Sequence, residues 1–302
     1  MFTRIVFATD FSGAAARGLR YAIDLSKRSG ATLHLVHVVP GEVGYSDAPQ
    51  LPMHDEENLL AELDQSFSEA LDALPEISED DLSIEKVLLE ASSVAAAINR
   101  YASEVKAELV VIGTHGRRGV QRLLLGSVAE AVLRNATCDV LASRARAPER
   151  PVRKIVTPID FSDHSKRAFK RAKRLGALYG ADVQMLFVAE QRTVPVFSDT
   201  GLPSFSVREM DPAIVENAPR ALRALDESVG AHGQVNVSHH VRSGGIDETI
   251  VEFATEEKAD MVVLASHGIS GAERRLLGNT TAQVLRTSSL PVYVVPARGL
   301  KS

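Results

Sequence analysis

Cysteine and tryptophan are nearly absent from this sequence, which has one cysteine, Cys138, and no tryptophan. A single cysteine excludes an intrachain disulfide framework and a thiolate zinc cluster within one chain. No apolar run approaches the roughly 18 residues that a membrane-spanning helix needs. The first residues reach Asp10 too soon to form a signal peptide. We therefore expect a soluble, cytoplasmic protein with no membrane partner.

The sequence also lacks an excess of positive charge, since Lys and Arg total 34 against 39 Asp and Glu, a formal net charge of −5. Binding to nucleic acid or to an anionic membrane depends on clustered positive charge, so neither is expected as the main partner. The phosphate-binding loop pattern GxxxxGK[ST] and the hydrolase pattern GxSxG are absent as well. Two direct indications of an enzyme are therefore missing.

An internal repeat is the strongest feature that the sequence does contain. The stretch that starts at Ile5 returns at Ile155, and residues 98–140 align with 250–292 without a gap at 18 identities in 43 positions. Repetition over this length predicts a tandem duplication. We expect one domain over residues 1–143 and a second over residues 152–302. Residues 144–151 contain two prolines and are expected to form a solvated linker.

Within each copy, short apolar stretches alternate with amphipathic ones of helical spacing. This pattern predicts the α/β fold class, with two doubly wound, Rossmann-like domains in tandem, each built on a five-stranded parallel sheet. Ser12 is predicted to cap the first helix and Gly30 to end it. The segments Pro40–Met53 and Gln191–Met210 show no clear pattern, and both are interpreted as either functional lids or disordered loops.

Two unusual stretches follow predicted strands of the first copy. Asp10 comes after the first strand, and Gly113-Thr114-His115-Gly116 comes after the fourth, followed nine residues later by Gly126-Ser127. If these strands are neighbours, both stretches lie at one crevice beyond the carboxyl ends of the sheet. The glycines allow a close approach of backbone N–H groups, and Gly126-Ser127 opens a helix whose N-terminus favours an anion. The alternatives are a plain turn with a helix cap and, for Asp10, a capping role instead of a bond to ribose hydroxyls.

Other residues near these stretches also suit a nucleotide polyphosphate. Ala8 and Thr9 are small enough to leave room for a flat base, and arginines in the intervening segment would add charge-assisted contacts to phosphates. Those arginines are Arg117, Arg118 and Arg122. His115 and its counterpart His267 are interpreted in three ways: each stacks on a ligand, donates to a phosphate, or only orders the loop.

The remaining histidines and the cysteine are interpreted as structural. His239 and His240 are neighbours on a predicted strand and therefore point to opposite faces, which opposes joint metal binding. His34 and His37 are likewise expected on opposite faces. Cys138 is interpreted as a small core residue.

The motif G-x2-G-x9-G-S/T after a fourth strand, the start P/A-x-D-x-S and the tandem arrangement together resemble the universal stress protein family. The first copy is similar to the ATP-binding branch of that family. The resemblance implies an adenine nucleotide alpha hydrolase-like fold and binding of ATP with Mg²⁺ or Mn²⁺. It also implies pseudo-twofold pairing of the two domains through their last strands, or a homodimer.

The motif and the resemblance together define a candidate nucleotide site in each copy. In the first copy the candidate residues are Ala8, Thr9, Asp10, Val38, Ile112, Gly113, His115, Gly116, Arg117, Gly126, Ser127 and Val128. In the second copy they are Pro158, Asp160, Val188, Gly268, Gly278, Asn279 and Thr280.

The second copy departs from the motif, because Ala265 replaces Gly113 and Asn279 replaces Ser127. If Gly113 has a positive φ, alanine at that position costs roughly 1–2 kcal/mol, or about tenfold in affinity. Asn279 is expected to cap its helix still. The second site is therefore expected to be weakened but not abolished.

Three functions are compatible with these patterns. The first is a nucleotide-responsive binding module of the stress response, since the phosphate cradle has no obvious catalytic pair beside it. The second is a slow ATPase in which Asp10 or His115 orients a water. The third is a nucleotide-free scaffold or carrier of another small ligand that uses Pro40–Met53 and Gln191–Met210 as lids.

Overall fold

The computed structural model describes residues 2–41, 56–114, 125–144, 147, 151–197, 203–208, 210–230, 234–268 and 277–297. The chain forms two compact units. Unit one comprises Met1–Glu149, Ala272–Leu277 and Ser289–Ser302, and unit two comprises Arg150–Gly271 and Gly278–Ser288. Among the described residues, no helix has the length and apolar character needed to cross a membrane.

Five mutually parallel strands form the central part of unit one. They are β1 (Arg4–Thr9), β2 (Thr32–Pro40), β3 (Ser83–Ala91), β4 (Leu109–Gly113) and β5 (Asp139–Ser143). Their spatial order is β3-β2-β1-β4-β5, so that β1 and β4 are neighbours and Ile5 lies opposite Leu109. The chain therefore changes direction across the sheet between β1 and β4, where an open α/β sheet forms its ligand crevice. The predicted doubly wound α/β fold is confirmed.

The described residues of unit one form four α-helices, and the first of them begins and ends where the sequence predicts. They are α1 (Gly13–Ser29), α2 (Glu56–Asp72), α3 (Val94–Glu104) and α4 (Ser127–Asn135). Ser12 Oγ accepts a hydrogen bond from Ala15 N at 3.2 Å, and Gly30 ends α1 with a φ of 68°. Both predicted caps of α1 are confirmed. A short 3₁₀ helix at Glu79–Asp81 has no counterpart among the sequence predictions.

A sixth strand, β12 (Val292–Val295), completes the sheet of unit one and runs antiparallel to β5. Val292 lies opposite Ala142 and Val294 opposite Val140. Tyr293 is buried, and its hydroxyl donates a 2.6 Å hydrogen bond to the Asp139 carboxylate. Hydrogen bonds to a charged group are among the stronger ones in proteins, so this contact stabilises the strand pair.

Unit two repeats this plan with four parallel strands instead of the predicted five, because β12, the last strand of the second repeat, lies in unit one. Its parallel strands are β6 (Lys154–Pro158), β7 (Asp182–Glu190), β10 (Val237–Gly244) and β11 (Met261–Ala265), in the order β10-β7-β6-β11. Its helices are α5 (Asp163–Tyr179), α6 (Pro212–Val229), α7 (Ile246–Glu256) and α8 (Asn279–Thr287). Asp211 caps α6 by accepting from Ala213 N at 2.9 Å, with Pro212 at the first helical position, which proline favours.

Two irregular segments differ from their predictions. Gln191–Met210, interpreted as a lid or a disordered loop, contains an antiparallel hairpin of β8 (Arg192–Phe197) and β9 (Pro203–Arg208). Its β-branched residues favour strands, but Pro195 and the surrounding Pro, Gly and Ser residues hide that tendency in the sequence.

In the predicted linker, Ala147 is only 2 % exposed, so the expectation of a solvated connector is wrong at that residue. The predicted domain boundaries stay predictions. In the irregular segment Pro40–Met53, residues 42–53 lie outside the described residues.

Candidate functional site

The turn after β1 places Asp10 at the carboxyl end of the sheet. Asp10 Oδ1 accepts a hydrogen bond from Ser12 N at 3.1 Å, and Thr9 Oγ1 accepts one from Phe11 N at 3.0 Å. Phe11 between them has a φ of 60°, a strained conformation for a bulky residue. One oxygen of Asp10 thus holds the turn that starts α1, whereas Oδ2 has no hydrogen-bond partner among the described residues. The carboxylate can therefore act in the turn and accept from a ligand.

His37 on β2 contacts this turn, although the sequence interpretation treated it only as structural. Its Nδ1 lies 2.9 Å from the carbonyl oxygen of Thr9, and its ring centroid lies 4.7 Å from that of Phe11. Because a carbonyl only accepts, Nδ1 carries the proton, and the neutral ring has its acceptor at Nε2. In the second repeat, Phe161 (φ 64°) packs on Phe187 at 5.4 Å instead. One signal in the sequence could have identified His37 as a site residue: it directly precedes the candidate residue Val38 near the end of β2.

Gly113 lies at the end of β4, directly against the start of α1. A Cβ added there would lie 2.9 Å from Ala15 N and 3.0 Å from Ala14 C, both backbone atoms. Its φ lies outside the positive range, so the expectation of a left-handed glycine at this position is wrong. The position requires glycine because the helix approaches the strand closely.

The loop that follows β4 is closed at its base by one hydrogen bond. Gly126 N donates to Thr114 O at 2.7 Å, which places the start of α4 next to the end of β4. Intrahelical bonding starts with Glu130 N, which donates to Gly126 O at 2.9 Å. The N–H groups of residues 127–129 therefore have no acceptor within their own helix and carry the partial positive charge of its N-terminus. Ser127 and Val128 in this turn are exposed.

The N-cap of α4 is Gly126, and no side chain caps this helix. Ser127 is the first helical residue, so its hydroxyl does not occupy the N-cap position of α4. The equivalent expectation for Asn279 is wrong, because the N-cap of α8 is Gly278 and Asn279 is the first helical residue there. In both helices a glycine takes the extended cap conformation, which moves the polar residue one position inward.

The structure brings several first-copy candidates together and leaves others outside its description. Ala8 and Ile112 lie opposite each other on β1 and β4, and both are buried. Val38 and Thr9 are buried near the same ends of β2 and β1. His115, Gly116, Arg117, Arg118 and Arg122 lie outside the described residues. Their approach to the crevice stays a prediction.

The second copy forms a corresponding arrangement within unit two. A Cβ on Gly268 would lie 2.6 Å from Asp160 Oδ2, so the turn after β6 and the segment after β11 meet. Gly278 N donates to Ser266 O at 2.9 Å, and this bond closes the loop at the start of α8. Pro158 and Val188 lie near the carboxyl ends of β6 and β7, where Val188 is buried. Thr280 lies in the first turn of α8.

The electrostatics of the described residues give no indication of metal or thiol chemistry. Among the described residues, no three His, Cys, Asp or Glu side chains form a metal-binding group. His239 contacts Asp226, and His240 packs on Phe253, so these neighbours point to opposite faces as predicted. Burial and the adjacent carboxylate of Asp139 raise the pKa of Cys138 to about 12, which makes its thiol unreactive at neutral pH.

These features define a class: a tandem, doubly wound α/β protein with a candidate phosphate-binding helix end at each strand-order reversal. The universal stress protein family matches the chain over residues 1–144 and 151–296. The chain belongs to the universal stress protein family.

The chain is similar to several known universal stress proteins. A universal stress protein of Methanocaldococcus jannaschii is 34 % identical over 143 residues, which cover 47 % of this chain and 81 % of that one. The crystal structure of a universal stress protein from Archaeoglobus fulgidus has the same fold, with a TM-score of 0.65 and 21 % identity over 98 % of both chains. A universal stress protein solved in complex with cAMP is 27 % identical, with a TM-score of 0.36, and it covers 49 % of this chain and 98 % of its own.

Proposed function

We propose that unit one binds ATP at the carboxyl ends of β1 and β4 and acts as a nucleotide-responsive module of the stress response. The observation that carries this proposal is the hydrogen bond from Gly126 N to Thr114 O, which sets the unbonded end of α4 beside the end of β4. The register of β1 against β4 places Asp10 at the same edge of the sheet. A polyphosphate and a ribose have complementary partners there.

The base and the ribose are assigned to the β1 and β2 side of this crevice. Ala8 and Val38 supply buried apolar surface next to the strand ends. Asp10 Oδ2 accepts from a ribose hydroxyl, because Oδ1 is engaged by Ser12 N. His37 lies beside Phe11 at the same edge, and we add it to the candidate residues for base recognition.

The phosphates are assigned to the N-terminus of α4, where the Ser127 hydroxyl and the backbone N–H groups of the first turn would donate. Gly116 and Arg117 are also assigned to the phosphates, because they lie in the motif segment of the sequence. The described residues form no metal-binding group of their own. Mg²⁺ or Mn²⁺ would therefore bind through the phosphate oxygens and neutralise part of their charge.

Pairing of the two domains around a pseudo-twofold axis is part of the proposal as well. The antiparallel pairing of β12 with β5 inside unit one supports it, because β12 belongs to the second repeat of the sequence. Homodimer formation and the cytoplasmic location stay predictions.

A charge placed at the helix end tests the phosphate assignment. Val128 is the second residue of α4 and is 37 % exposed, so Val128→Glu leaves the core intact. An acidic residue in a first turn stabilises a helix by about 0.3–1 kcal/mol, but it repels the phosphates. We expect calorimetry of the full chain with Mg-ATP to show a loss of affinity of about tenfold or more.

The matched control is Ala213→Glu, which places the same charge at the second residue of α6. It is expected to bind Mg-ATP like the parent chain. Unchanged affinity in Val128→Glu, or no binding of Mg-ATP to the parent chain, would overturn the proposal. Preferential binding of cAMP would contradict the assignment of a triphosphate. Steady phosphate release that Val128→Glu abolishes would instead favour the slow ATPase.

A further inference from the structure

Two polar side chains with unpartnered atoms lie near the amino ends of the strands of unit one. Arg4 begins β1, and its Nε is buried and has no hydrogen-bond partner among the described residues. His34 on β2 is 3 % exposed, and its Nε2 is likewise buried and without a partner there. Arg4 lies opposite Thr32, two residues before His34, so both side chains are on one face of the sheet. Buried polar atoms without partners are costly and indicate a missing ligand or water.

The other ring nitrogen of His34 is engaged. Its Nδ1 lies 2.9 Å from the Tyr101 hydroxyl on α3 and 3.2 Å from Glu85 Oε2 on β3. Because the carboxylate of Glu85 only accepts, Nδ1 carries the proton. In the neutral ring Nε2 is therefore an acceptor, and it becomes a donor when the ring is protonated.

The second repeat shows which group fits beside such a pair of side chains. Lys154 occupies the position of Arg4 there. Gln184 occupies the position of His34. Glu257, the C-cap of α7, is bound by both, since its Oε2 accepts from Gln184 Nε2 at 2.8 Å and from Lys154 Nζ at 3.2 Å. A cation on the first strand and a donor on the second thus hold a carboxylate.

The first repeat lacks this carboxylate. The gap-free alignment of residues 98–140 with 250–292 places Val105 at the position of Glu257. Val105 is the C-cap of α3, as Glu257 is of α7. A valine side chain has no group that can pair with Arg4 or with Nε2 of His34. The first repeat therefore keeps the two partners of the carboxylate without the carboxylate itself.

The aromatic residue one turn earlier supports this comparison of the repeats. Tyr101 supplies a hydroxyl to His34 Nδ1, whereas its counterpart Phe253 has none. Accordingly, Gln184 Oε1 is buried without a partner among the described residues. Tyr101 and Val105 are four residues apart on one helix face, so they approach neighbouring polar atoms of the same strand residue. Position 105 therefore lies on the side of His34 Nε2.

A small anion can reach this place from solvent. Arg4 and Val105 are both partly exposed, and the Glu257 side chain that fills the corresponding place in unit two is 31 % exposed. The neighbouring carboxylate of Glu108 accepts from the backbone N–H groups of Thr3 and Arg4 at 3.0 and 2.9 Å. Glu108 is thus engaged by the backbone and does not take the role of Glu257.

We propose that Arg4 and His34, beside Val105, form a binding site in unit one for a small carboxylate anion of the size of formate or acetate. The guanidinium of Arg4 and the protonated ring of His34 donate to the anion. The ligand replaces the carboxylate group that valine lacks. The site lies at the amino ends of the strands, whereas the candidate ATP site lies at their carboxyl ends, so the two can be tested separately.

Binding of a carboxylate here is coupled to protonation of His34. Burial lowers the pKa of His34 first, Glu85 raises it and Arg4 lowers it. A bound anion favours the charged ring, and by linkage the affinity for formate rises as the pH falls. One proton taken up on binding changes the affinity by at most about tenfold per pH unit. The groups that face His34 are Arg4 on β1, Glu85 on β3 and Tyr101 on α3.

The experiment uses the full chain labelled with ¹⁵N-histidine and follows the ring nitrogens by NMR during a titration with sodium formate at constant ionic strength. Formate is expected to shift the His34 signals in a saturable manner and to raise the titration midpoint of His34. Arg4→Gln is expected to weaken formate binding at least fivefold. Arg242→Gln removes a guanidinium that packs on Phe253 in unit two and serves as the control.

Substitutions at position 105 give the sharper test. Val105→Glu installs the residue of the second repeat, and its carboxylate is expected to occupy the site. The variant should therefore show a raised titration midpoint of His34 and no saturable response to formate. Val105→Gln has nearly the same size without the charge and is expected to keep the midpoint of the parent chain.

Three results would overturn the inference. The first is an equal, non-saturating shift with formate and chloride, which would reveal charge screening. The second is an unchanged His34 midpoint in Val105→Glu, and the third is an unchanged formate affinity in Arg4→Gln, each in a variant shown to be folded by its thermal melt. None of these results bears on ATP binding, which calorimetry with Mg-ATP measures independently.

Discussion

Replacing Gly113 by alanine tests the packing on which the candidate ATP site depends. The new Cβ would lie 2.9 Å from Ala15 N, closer than real Cβ atoms approach, and 3.2 Å from Ala14 Cβ, which is a tight contact. Because the obstruction is mostly backbone, the start of α1 has to move. Forcing extra volume into a packed interior costs roughly 1–3 kcal/mol.

The same helix offers a matched control. Gly18 lies in the middle of α1, where an added Cβ would meet Phe7, Ser143 and Val111 at 3.5–3.6 Å, which is ordinary contact. Gly18→Ala therefore gains helix propensity, worth up to about 1 kcal/mol, without a clash. The two Gly→Ala substitutions are expected to change the free energy of unfolding in opposite directions.

Urea denaturation followed by circular dichroism measures both changes, and calorimetry with Mg-ATP measures the consequence for binding. We expect Gly113→Ala to unfold at lower urea concentration and to bind ATP more weakly, since the moved helix start carries the turn of Asp10 and Ser12. Gly18→Ala is expected to be at least as stable as the parent chain. Equal stability of Gly113→Ala and the parent would refute the close-packing argument.

Two further predictions concern the stability of unit one. Tyr293→Phe removes the hydroxyl that donates to Asp139 and is expected to cost about 1.5–3 kcal/mol in urea denaturation, whereas an unchanged midpoint would show that this bond does not support β12. Burial lowers the pKa of His34, so the unfolded chain binds more protons below about pH 6.5 and the folded state loses stability as the pH falls. The urea midpoint should therefore fall less between pH 7.5 and 5.5 in His34→Asn than in the parent chain. An equal fall in both chains would show that groups other than His34 cause the loss of stability.

Local signals in the sequence predicted most of the fold because each acts over a few residues. Ser12 and Gly30 bound α1 as expected, and the apolar stretches Ile5–Thr9 and Leu109–Ile112 are buried strands. The proposed crevice requires β1 and β4 to be neighbours, and in the structure they are. The hairpin β8–β9 was missed because Pro, Gly and Ser are typical of loops and its pairing involves residues up to 16 positions apart.

The contacts at the candidate site were less accessible to sequence reasoning than the fold. The sequence suggested a positive φ as a possible reason for glycine at position 113, which the structure does not have; an added Cβ there would instead clash with the start of α1. The clash arises from α1, about 100 residues earlier in the chain, and no local pattern reports it. The contacts of His37 with Thr9 and Phe11 depend in the same way on the register of β1 against β2.

The sequence by itself determined the duplication, the order of strands and helices and the helix caps, because these follow from repeated residues, periodicity and hydrogen bonds within a few positions. Only the tertiary structure decided why position 113 is glycine and which residues meet at the ends of β1 and β4. These depend on distances between segments far apart in the chain, which sheet order and register set.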